Sequence, residues 1–324
     1  MAESTRHMPE CWGHRGASAA FPENTLASFE RAIRDGAEGI ESDVHVSLDD
    51  VVIMFHDPTL DRTTDGHGKI KEQNWYGFKG MQYLRTLKGP QQCIPTFAET
   101  VELLMKPENR HVTFDIDVKV FNEPLHLFTL MHEVISTQPN WEVDLAPRIL
   151  LGLWHPRFIP HAKTILPYCK RSFIGVSMAW AREYFWESCE VFSINFSILA
   201  TWEGARFREE CKQAGKKVAV WTVNDPAQML EAVQWGVDVI LTDKTKDWLD
   251  LRETLRTDYD KIMEGHSSTF LWTSPRYYFL SRKLWETLAS YYLQKFGGPA
   301  KKVDGLEDTP DTAVPPGKAA AVKA

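Results

Sequence analysis

Short apolar runs alternate with longer amphipathic stretches along most of this chain. Eight short runs resemble buried strands: the run ending at His14, and residues 38–44, 112–118, 147–153, 172–177, 191–196, 217–222 and 237–242. Apolar residues at helical spacing lie between them, at 25–35, 96–106, 123–137, 202–214, 226–235 and 245–256. Strands that alternate with helices pair in parallel, so eight such units predict an α/β fold, a closed (β/α)8 TIM barrel.

An open, doubly wound sheet is the competing arrangement. Such a sheet usually carries a Gly-rich phosphate-binding turn after its first strand, and neither GxGxxG nor GxxxxGK[ST] occurs in the sequence. The apolar run at 51–55 does not belong to the eight strand–helix units, and we predict that it pairs with the second strand as a hairpin. Residues 60–93 form a long loop, which inside a compact domain is usually functional or a small insertion.

The pattern divides the chain into three parts. Residues 10–260 account for the barrel, and residues 261–296 form a helical extension whose main helix is predicted at 276–296. Residues 297–324 are rich in Pro, Gly, Ala and Lys, which is typical of a disordered tail. One barrel and a tail therefore explain the 324 residues without a second globular domain.

Composition excludes several classes of protein. With 43% hydrophobic and 25% charged residues, the chain is neither disordered, collagen-like nor a coiled coil. A net charge of −7 weighs against a nucleic-acid partner. No apolar run approaches the roughly 18 residues of a spanning helix, and the first motif leaves no room for a signal peptide. The five cysteines form no CxxC pair. We therefore expect a protein that is not secreted and stays on the cytoplasmic side.

Polar residues concentrate at the carboxyl ends of the predicted strands. In a barrel these ends meet on one face, where the active site is built. The residues concerned, in chain order, are His14, Arg15, Glu41, Asp43, His56, Asp57, Asp115, Asp117, Lys119, Trp221, Asn224, Thr242 and Asp243.

Carboxylates on neighbouring strands indicate a metal site. Glu41 and Asp43 are two residues apart on one strand, so both side chains point to the same face. Two buried carboxylates repel each other unless a cation neutralises them, and oxygen ligands suit Mg²⁺ or Ca²⁺. Asp117 on the next strand offers a third ligand. The alternative is that only one of the pair points inward while the other is a solvated turn residue.

The remaining polar residues fit phosphoester chemistry. His14 and His56 are candidate proton carriers, because imidazole exchanges a proton near neutral pH. Arg15 offers the planar fork that clamps a phosphate, and Lys119 either pairs with the nearby acids or neutralises the same phosphate. A metal, two cations and two histidines together indicate hydrolysis of a phosphate ester.

The motifs that carry these residues resemble the glycerophosphodiester phosphodiesterase family. Over residues 10–255 they occur in order: His14-Arg15-Gly16, Phe21-Pro22-Glu23-Asn24-Thr25, Glu41-Ser42-Asp43-Val44, Phe55-His56-Asp57, Leu60-Asp61-Arg62-Thr63-Thr64, Ile94-Pro95-Thr96-Phe97, Val220-Trp221-Thr222-Val223-Asn224 and Asp238-Val239-Ile240-Leu241-Thr242-Asp243. The resemblance implies a (β/α)8 barrel that hydrolyses glycerol phosphodiesters with a divalent metal.

The resemblance also implies roles for individual residues. His14 and His56 would be the acid–base pair, and the glycerol 2-hydroxyl would attack phosphorus to give a cyclic phosphate that water then opens. The phosphate and substrate contacts would be Arg15, Lys119, Trp221 and Asn224, and the metal ligands Glu41, Asp43 and Asp117. The family usually has Glu in Glu-x-Lys where this chain has Asp117-Val118-Lys119, which leaves open whether the ion is Mg²⁺ or Ca²⁺.

The shorter Asp and the carboxyl-terminal extension also resemble the fungal phosphatidylglycerol phospholipase C branch. Residues 276–302 hold six Lys or Arg and one acid, a local charge of +5, so the rest of the chain carries −12. The helix at 276–296 has an apolar stripe bordered by Trp285: Tyr277, Leu280, Leu284, Leu288, Tyr291 and Tyr292. A basic, aromatic, amphipathic helix is typical of binding to an anionic membrane surface, and the alternative is a stripe that packs on the barrel.

The expected protein is a metal-dependent phosphodiesterase that cleaves a glycerophospholipid, phosphatidylglycerol first, to diacylglycerol and glycerol phosphate. It would be peripherally associated with a lipid droplet, mitochondrial or endoplasmic reticulum surface. Three alternatives stay open: hydrolysis of water-soluble diesters such as glycerophosphocholine, a sphingomyelinase D-like lipid phosphotransferase, and an inactive lipid-binding barrel. The presence of every candidate acid–base, phosphate and metal residue weighs against the inactive barrel.

Overall fold

The computed structural model describes residues 7–302, and within them eight parallel strands close a barrel. The strands are β1 (Glu10–His14), β2 (Gly39–Val46), β4 (Thr113–Val118), β5 (Ile149–Leu153), β6 (Lys170–Gly175), β7 (Val191–Asn195), β8 (Lys217–Trp221) and β9 (Val239–Thr242), with the short β3 (Val52–Met54) beside β2. Closure is made by β1, which pairs with β9 on one side and β2 on the other. The predicted TIM barrel is confirmed.

The hairpin predicted at 51–55 is also present. β3 runs antiparallel to the upper part of β2, with Val44 opposite Met54 and Val46 opposite Val52. The long loop that follows has its own apolar cluster, which includes Leu60, Trp75 and Met81. It is therefore a small packed insertion beside the second strand.

Helices surround the barrel, and the longer ones that precede the carboxyl-terminal extension bury apolar residues against it. They are α1 (Leu26–Asp35), α2 (Phe97–Met105), α3 (Pro124–Ser136), α4 (Trp141–Asp144), α5 (Phe158–Ile165), α6 (Met178–Trp180), α7 (Phe196–Leu199), α8 (Trp202–Gln213), α9 (Pro226–Trp235), α10 (Thr245–Glu264), α11 (Phe270–Thr273) and α12 (Phe279–Gly297). Thr25 and Thr96 cap α1 and α2 with reciprocal hydrogen bonds, so both helices begin where the sequence predicts.

The structure adds the short helices α4, α6 and α7, which the pattern does not predict, and differs from it at three further places. The eight-residue α5 connects β5 to β6 where no helix was predicted. Helix α10 continues beyond 256 to Glu264, with non-helical dihedral angles at Asp258. The predicted helix at 276–296 begins three residues later, because Tyr277 belongs to a separate 3-10 turn. The tail predicted to be disordered lies outside the described residues from position 303 onward.

The extension folds back over the carboxyl-terminal face of the barrel. Along α12, Ser177 donates a hydrogen bond of 2.7 Å to Glu286, and the Phe296 ring lies 4.8 Å from the ring of Phe121. The carbonyl of Gly298 lies 3.0 Å from Nε2 of His155. These partners follow β4, β5 and β6, so α12 lies across the loops that surround the barrel mouth.

The leucines of the α12 stripe face away from the barrel, whereas Tyr277 is buried and the Tyr292 ring lies 5.8 Å from that of Phe121. The side with Glu286 and the buried Leu293 meets the barrel loops, whereas Leu280, Leu284 and Leu288 are 79%, 62% and 56% exposed. Within residues 7–302, no helix combines the length and apolar character needed to cross a membrane.

Candidate active site

The first strand ends in a tight turn that places Arg15 against the acidic cluster. Arg15 has a left-handed φ of 56°, and Gly16, at φ 78°, has no room for a Cβ, which would lie 2.5 Å from the Ser28 hydroxyl. This turn directs the backbone N–H of Arg15 to Oε2 of Glu41 at 2.9 Å. The guanidinium then reaches Glu23 at 2.9 Å and lies 3.5 Å from Oδ2 of Asp43.

Three carboxylates and a lysine converge at the barrel mouth, from β2, β4 and the residue after β4. Glu41, Asp43 and Asp117 are all buried and each offers an oxygen within 4.8 Å of the others. Nζ of Lys119 lies 2.7 Å from Asp43 and 2.7 Å from Asp117. The parallel register pairs Asp43 with Asp117 and Glu41 with Asp115, which explains why residues from two strands meet.

The electrostatics of this cluster fit a divalent cation. Burial and the neighbouring Asp43 and Asp117 hold the pKa of Glu41 well above its usual range. Although burial opposes it, Lys119 and Arg15 hold the pKa of Asp43 well below its usual range. Asp115 adds a fourth buried carboxylate whose two oxygens have no hydrogen-bond partner, and burial raises its pKa strongly. The buried carboxylates outnumber the cations that contact them, so a divalent ion would offset negative charge that Arg15 and Lys119 leave uncompensated.

His14 is held at the mouth by a half-buried acid that directly follows the last strand. Its Nδ1 lies 2.7 Å from Oδ1 of Asp243, which also accepts from the Ser18 hydroxyl at 2.8 Å. Burial raises the pKa of Asp243, but its bond with His14 outweighs this and lowers the pKa to about 2. A carboxylate only accepts, so Nδ1 carries the proton and Nε2 is the nitrogen that can exchange one.

Asn224 takes part in the hydrogen-bond network around Asp243. Its Nδ2 donates to the second oxygen of Asp243 at 2.5 Å, and its Oδ1 accepts from Thr242 and from the Asp243 backbone. The structure therefore places this residue where it positions Asp243. Direct contact of Asn224 with substrate stays a prediction.

His56 is also held by a neighbouring carboxylate, and it lies near Asp43 and Lys119 of the acidic cluster. Its Nδ1 lies 2.6 Å from Asp57, which is fixed by Arg62 at 2.5 Å. Arg62 also binds Glu23, the partner of Arg15, so the turns that carry Arg15 and His56 share one ion-pair network. Burial lowers the pKa of His56, which is therefore neutral at pH 7 and suited to accept a proton.

Trp154 and Trp221 lie side by side at the barrel mouth, next to the carboxylates, and together form what we call the tryptophan wall. Nε1 of Trp154 donates to Asp117 at 2.7 Å, and its ring lies 5.7 Å from that of Trp221. Trp221 itself donates to the carbonyl of Ser193 at 3.0 Å. Its ring is thus fixed at the mouth, as expected for a residue that lines the substrate pocket.

Sequence reasoning missed several residues that support the site. Trp154 immediately follows β5, and this strand-end position is the signal that could have identified it. Asn24 donates to Asp43 at 2.8 Å from a left-handed turn with φ 56°, which nothing in its spacing indicates. Asp57 and Asp243 were noted as strand-end acids but were not assigned to the histidines.

We expect Asp243→Asn to lower kcat by about 10²–10⁴-fold with little change in KM, because an amide can present either a donor or an acceptor to His14 and no longer fixes its tautomer. Steady-state kinetics on a soluble diester measure this effect. Ser18→Ala is the matched control, since it removes another hydrogen bond to the same oxygen. An equal loss in both variants would contradict the orienting role of the carboxylate.

Fold and site together define a class of enzyme: a (β/α)8 barrel whose mouth holds an acidic triad, an Arg–Lys pair and two acid-anchored histidines, as a phosphoric diester hydrolase requires. Residues 14–247 match the glycerophosphoryl diester phosphodiesterase family. The chain belongs to this family and is a phosphoric diester hydrolase. Family membership implies dependence on a divalent metal, for which Glu41, Asp43 and Asp117 are the available ligands.

Bacterial proteins are similar to this chain over the residues that form its barrel. A glycerophosphodiester phosphodiesterase of Caldanaerobacter subterraneus is 28% identical over 74% of this chain and 95% of its own length. The corresponding enzyme of Bacillus altitudinis is 23% identical over 77% of this chain and 100% of its own. A phosphodiesterase of Oleispira antarctica, solved with its product sn-glycerol-3-phosphate, is 25% identical with a TM-score of 0.63 over 76% of this chain and 97% of its own.

Proposed function

We propose that this chain hydrolyses a glycerophospholipid at a membrane surface, phosphatidylglycerol first, to diacylglycerol and glycerol phosphate. The supporting observation is the outward apolar face of α12, which lies at the barrel mouth. Besides its three leucines, this face and the turn before it expose Trp272, Tyr278, Phe279 and Tyr291. A set of exposed apolar side chains beside an active site is typical of contact with lipid.

The positive charge on and after α12 supports binding to an anionic membrane surface. Lys283, Lys295, Lys301 and Lys302 lie on or after α12, and Glu286 is the one acid of that helix. Lys283 is exposed and pairs with Glu286, whereas Lys301 and Lys302 are exposed at the end of the described chain. Basic residues near a lipid surface attract anionic head groups such as phosphatidylglycerol. The preference for this lipid also rests on the resemblance of the Asp-x-Lys motif and the extension to the fungal phospholipase C branch.

The site supports acid–base hydrolysis by the two histidines. Arg15 and Lys119 would hold the non-bridging oxygens of the phosphodiester, and His56, neutral at pH 7, would take the proton of the attacking hydroxyl. His14 would then give a proton to the leaving oxygen from Nε2. A divalent ion on Glu41, Asp43 and Asp117 supplies charge stabilisation when bound, and the all-oxygen ligand set favours Mg²⁺ or Ca²⁺.

Hydrolysis of water-soluble glycerophosphodiesters is the second candidate. It is favoured by the relatives that share almost their whole length with this barrel and are named glycerophosphodiester phosphodiesterases. Product analysis with phosphatidylglycerol vesicles and with glycerophosphocholine, each with and without chelator, separates the two. Cleavage of the soluble ester alone would contradict the lipid proposal.

We expect Leu280→Ser/Leu284→Ser/Leu288→Ser to weaken binding to phosphatidylglycerol vesicles by about 100-fold. Three exposed leucines that become partly buried in lipid contribute about 1 kcal/mol each to the interface. Co-sedimentation measures the binding, and hydrolysis of a soluble ester should not change because these side chains point away from the barrel. The matched control is Val143→Ser, which removes an apolar side chain that is 77% exposed on α4. Unchanged vesicle binding in the triple variant would refute this role of α12.

A further inference from the structure

A cavity of about 350 Å³ lies under the start of the carboxyl-terminal extension. On the barrel side it is lined by residues at the ends of β7 and β8, including Asn195 and Thr222, and on the other side by Ser281, Arg282 and Trp285. The family match ends at residue 247, so one wall of this cavity is built by a segment outside the shared barrel.

Arg282 is the one charged residue among those lining this cavity, and it has no protein partner. Within residues 7–302 no carboxylate lies within 4.0 Å of its guanidinium, and its Nε is buried without a hydrogen bond. Burial lowers the pKa of Arg282, and no acidic neighbour offsets the effect. A half-buried cation without a counter-charge is unfavourable, which indicates that an anion completes the site.

The other arginines of the described chain differ in this respect. Every buried or half-buried arginine whose side chain is described, apart from Arg282, donates to a carboxylate or a carbonyl. Arg252, for example, lies 2.8 Å from Glu38, and Arg157 donates to the carbonyl of Val120 at 2.7 Å. Among the buried or half-buried arginines whose side chains are described, Arg282 is therefore the one whose guanidinium has no hydrogen-bond partner in the protein.

Neutral donors complete the lining. Oδ1 of Asn195 accepts from the backbone and hydroxyl of Ser197, which leaves its Nδ2 without a partner in the described chain. The Thr222 hydroxyl likewise has none. Guanidinium, amide and hydroxyl donors around a small cavity match the acceptor oxygens of a phosphate or carboxylate.

The cavity borders the catalytic mouth. Thr222 directly follows Trp221, whose ring contacts Trp154, and Trp154 donates to Asp117. A group bound beside Arg282 would thus lie next to the residue that follows Trp221 of the tryptophan wall.

We propose that this cavity is a second oxyanion site, in which Arg282 pairs with a phosphate or carboxylate that is distinct from the scissile phosphodiester. The anion is either a further charged group of the substrate or a separate phosphate. Arg282 is then a specificity-determining residue that the extension adds to the family's barrel. The kinetic part of the test rests on the proposed hydrolysis, whereas the binding part does not.

The kinetic test uses two diesters that differ by one carboxylate, glycerophosphoserine and glycerophosphoethanolamine. In Arg282→Gln we expect kcat/KM for the serine ester to fall about tenfold through KM, with the ethanolamine ester unchanged, because one charge-assisted interaction is lost. Arg282→Lys should retain part of the preference. The matched control is Lys283→Gln, which removes the same charge from the next, exposed residue. Circular dichroism and thermal melting verify that each variant is folded.

The binding test titrates the full chain with inorganic phosphate by calorimetry, without turnover. A phosphate that binds wild type and Lys283→Gln but is lost from Arg282→Gln supports the site and identifies a separate anion as its ligand. A loss confined to the serine ester supports the site and identifies the substrate as the source. The proposal is overturned if Arg282→Gln matches Lys283→Gln in both tests. Failure of wild type to cleave either ester would instead show that the enzyme does not act on these soluble diesters, and the phosphate titration alone would then decide the proposal.

Discussion

Replacing His14 by alanine is expected to lower kcat on a glycerophosphodiester by about 10²–10⁴-fold, the usual contribution of a positioned acid or base. The same loss is expected for His56→Ala. Each imidazole is fixed by one carboxylate, His14 by Asp243 at 2.7 Å and His56 by Asp57 at 2.6 Å, so neither can replace the other. Stopped or steady-state assays at saturating metal measure the loss, and thermal melting should show a folded protein in both cases.

A substrate with a good leaving group distinguishes the two histidines. The p-nitrophenyl diester of glycerol phosphate needs no proton on its departing oxygen, so a missing general acid costs little with it. We expect His14→Ala to recover most of its activity on this ester, while His56→Ala, which lacks the base, stays inactive. Recovery by His56→Ala instead would reverse the assignment, and recovery by neither variant would mean that the histidines do not divide the proton transfers in this way.

The architecture of the barrel could be predicted because its signal is periodic and repeated. Eight apolar runs alternate with helical spacing, and each predicted strand appears within about two residues of its place. Helix α5 was missed because it has only eight residues and Pro160 in its first turn, where proline is tolerated although it usually interrupts a helix. A short helix with an internal proline carries too little periodicity to be recognised.

The centre of the site could be predicted more fully than its surroundings. Glu41, Asp43 and Asp117 lie on strands, where alternation fixes which side chains point inward, and Lys119 directly follows β4 in the same alternation. Asn24 and Trp154 reach the same carboxylates from loops, where no period relates sequence position to direction. The family resemblance names residues in the first group, but the bonds that hold them depend on the second.

The orientation of the last helix was beyond sequence reasoning for a different reason. Its apolar stripe was visible, yet a stripe fits equally well against a core or a membrane. The contacts of Glu286 with Ser177 and of Phe296 with Phe121 decide which side meets the barrel. Those partners lie more than 100 residues away along the chain, and their position depends on the closed barrel.

Removing the divalent metal is expected to abolish turnover, and Glu41→Gln is expected to lower kcat by about 10²–10³-fold even at high metal concentration. The triad brings three carboxylates within 4.8 Å, so their mutual repulsion is what a bound cation relieves. Gln at position 41 carries no negative charge, so one of the three metal ligands becomes neutral. It can still accept the hydrogen bond that the backbone N–H of Arg15 donates at 2.9 Å. Chelator treatment followed by separate return of Mg²⁺ and Ca²⁺ measures the dependence and identifies the preferred ion.

Stability provides a readout of the same site that does not depend on catalysis. A ligand at 100 times its dissociation constant stabilises the folded state by about 2.7 kcal/mol, so wild type should melt at a higher temperature with metal than with chelator. Glu41→Gln should lose most of that difference, and without metal it should be at least as stable as wild type, because one charge has left a crowded acidic cluster. Glu102→Gln, on the exposed side of α2, is the matched control and should keep the full metal-dependent shift. A wild-type melting temperature that does not respond to any divalent ion would show that these carboxylates serve the fold and Lys119 alone.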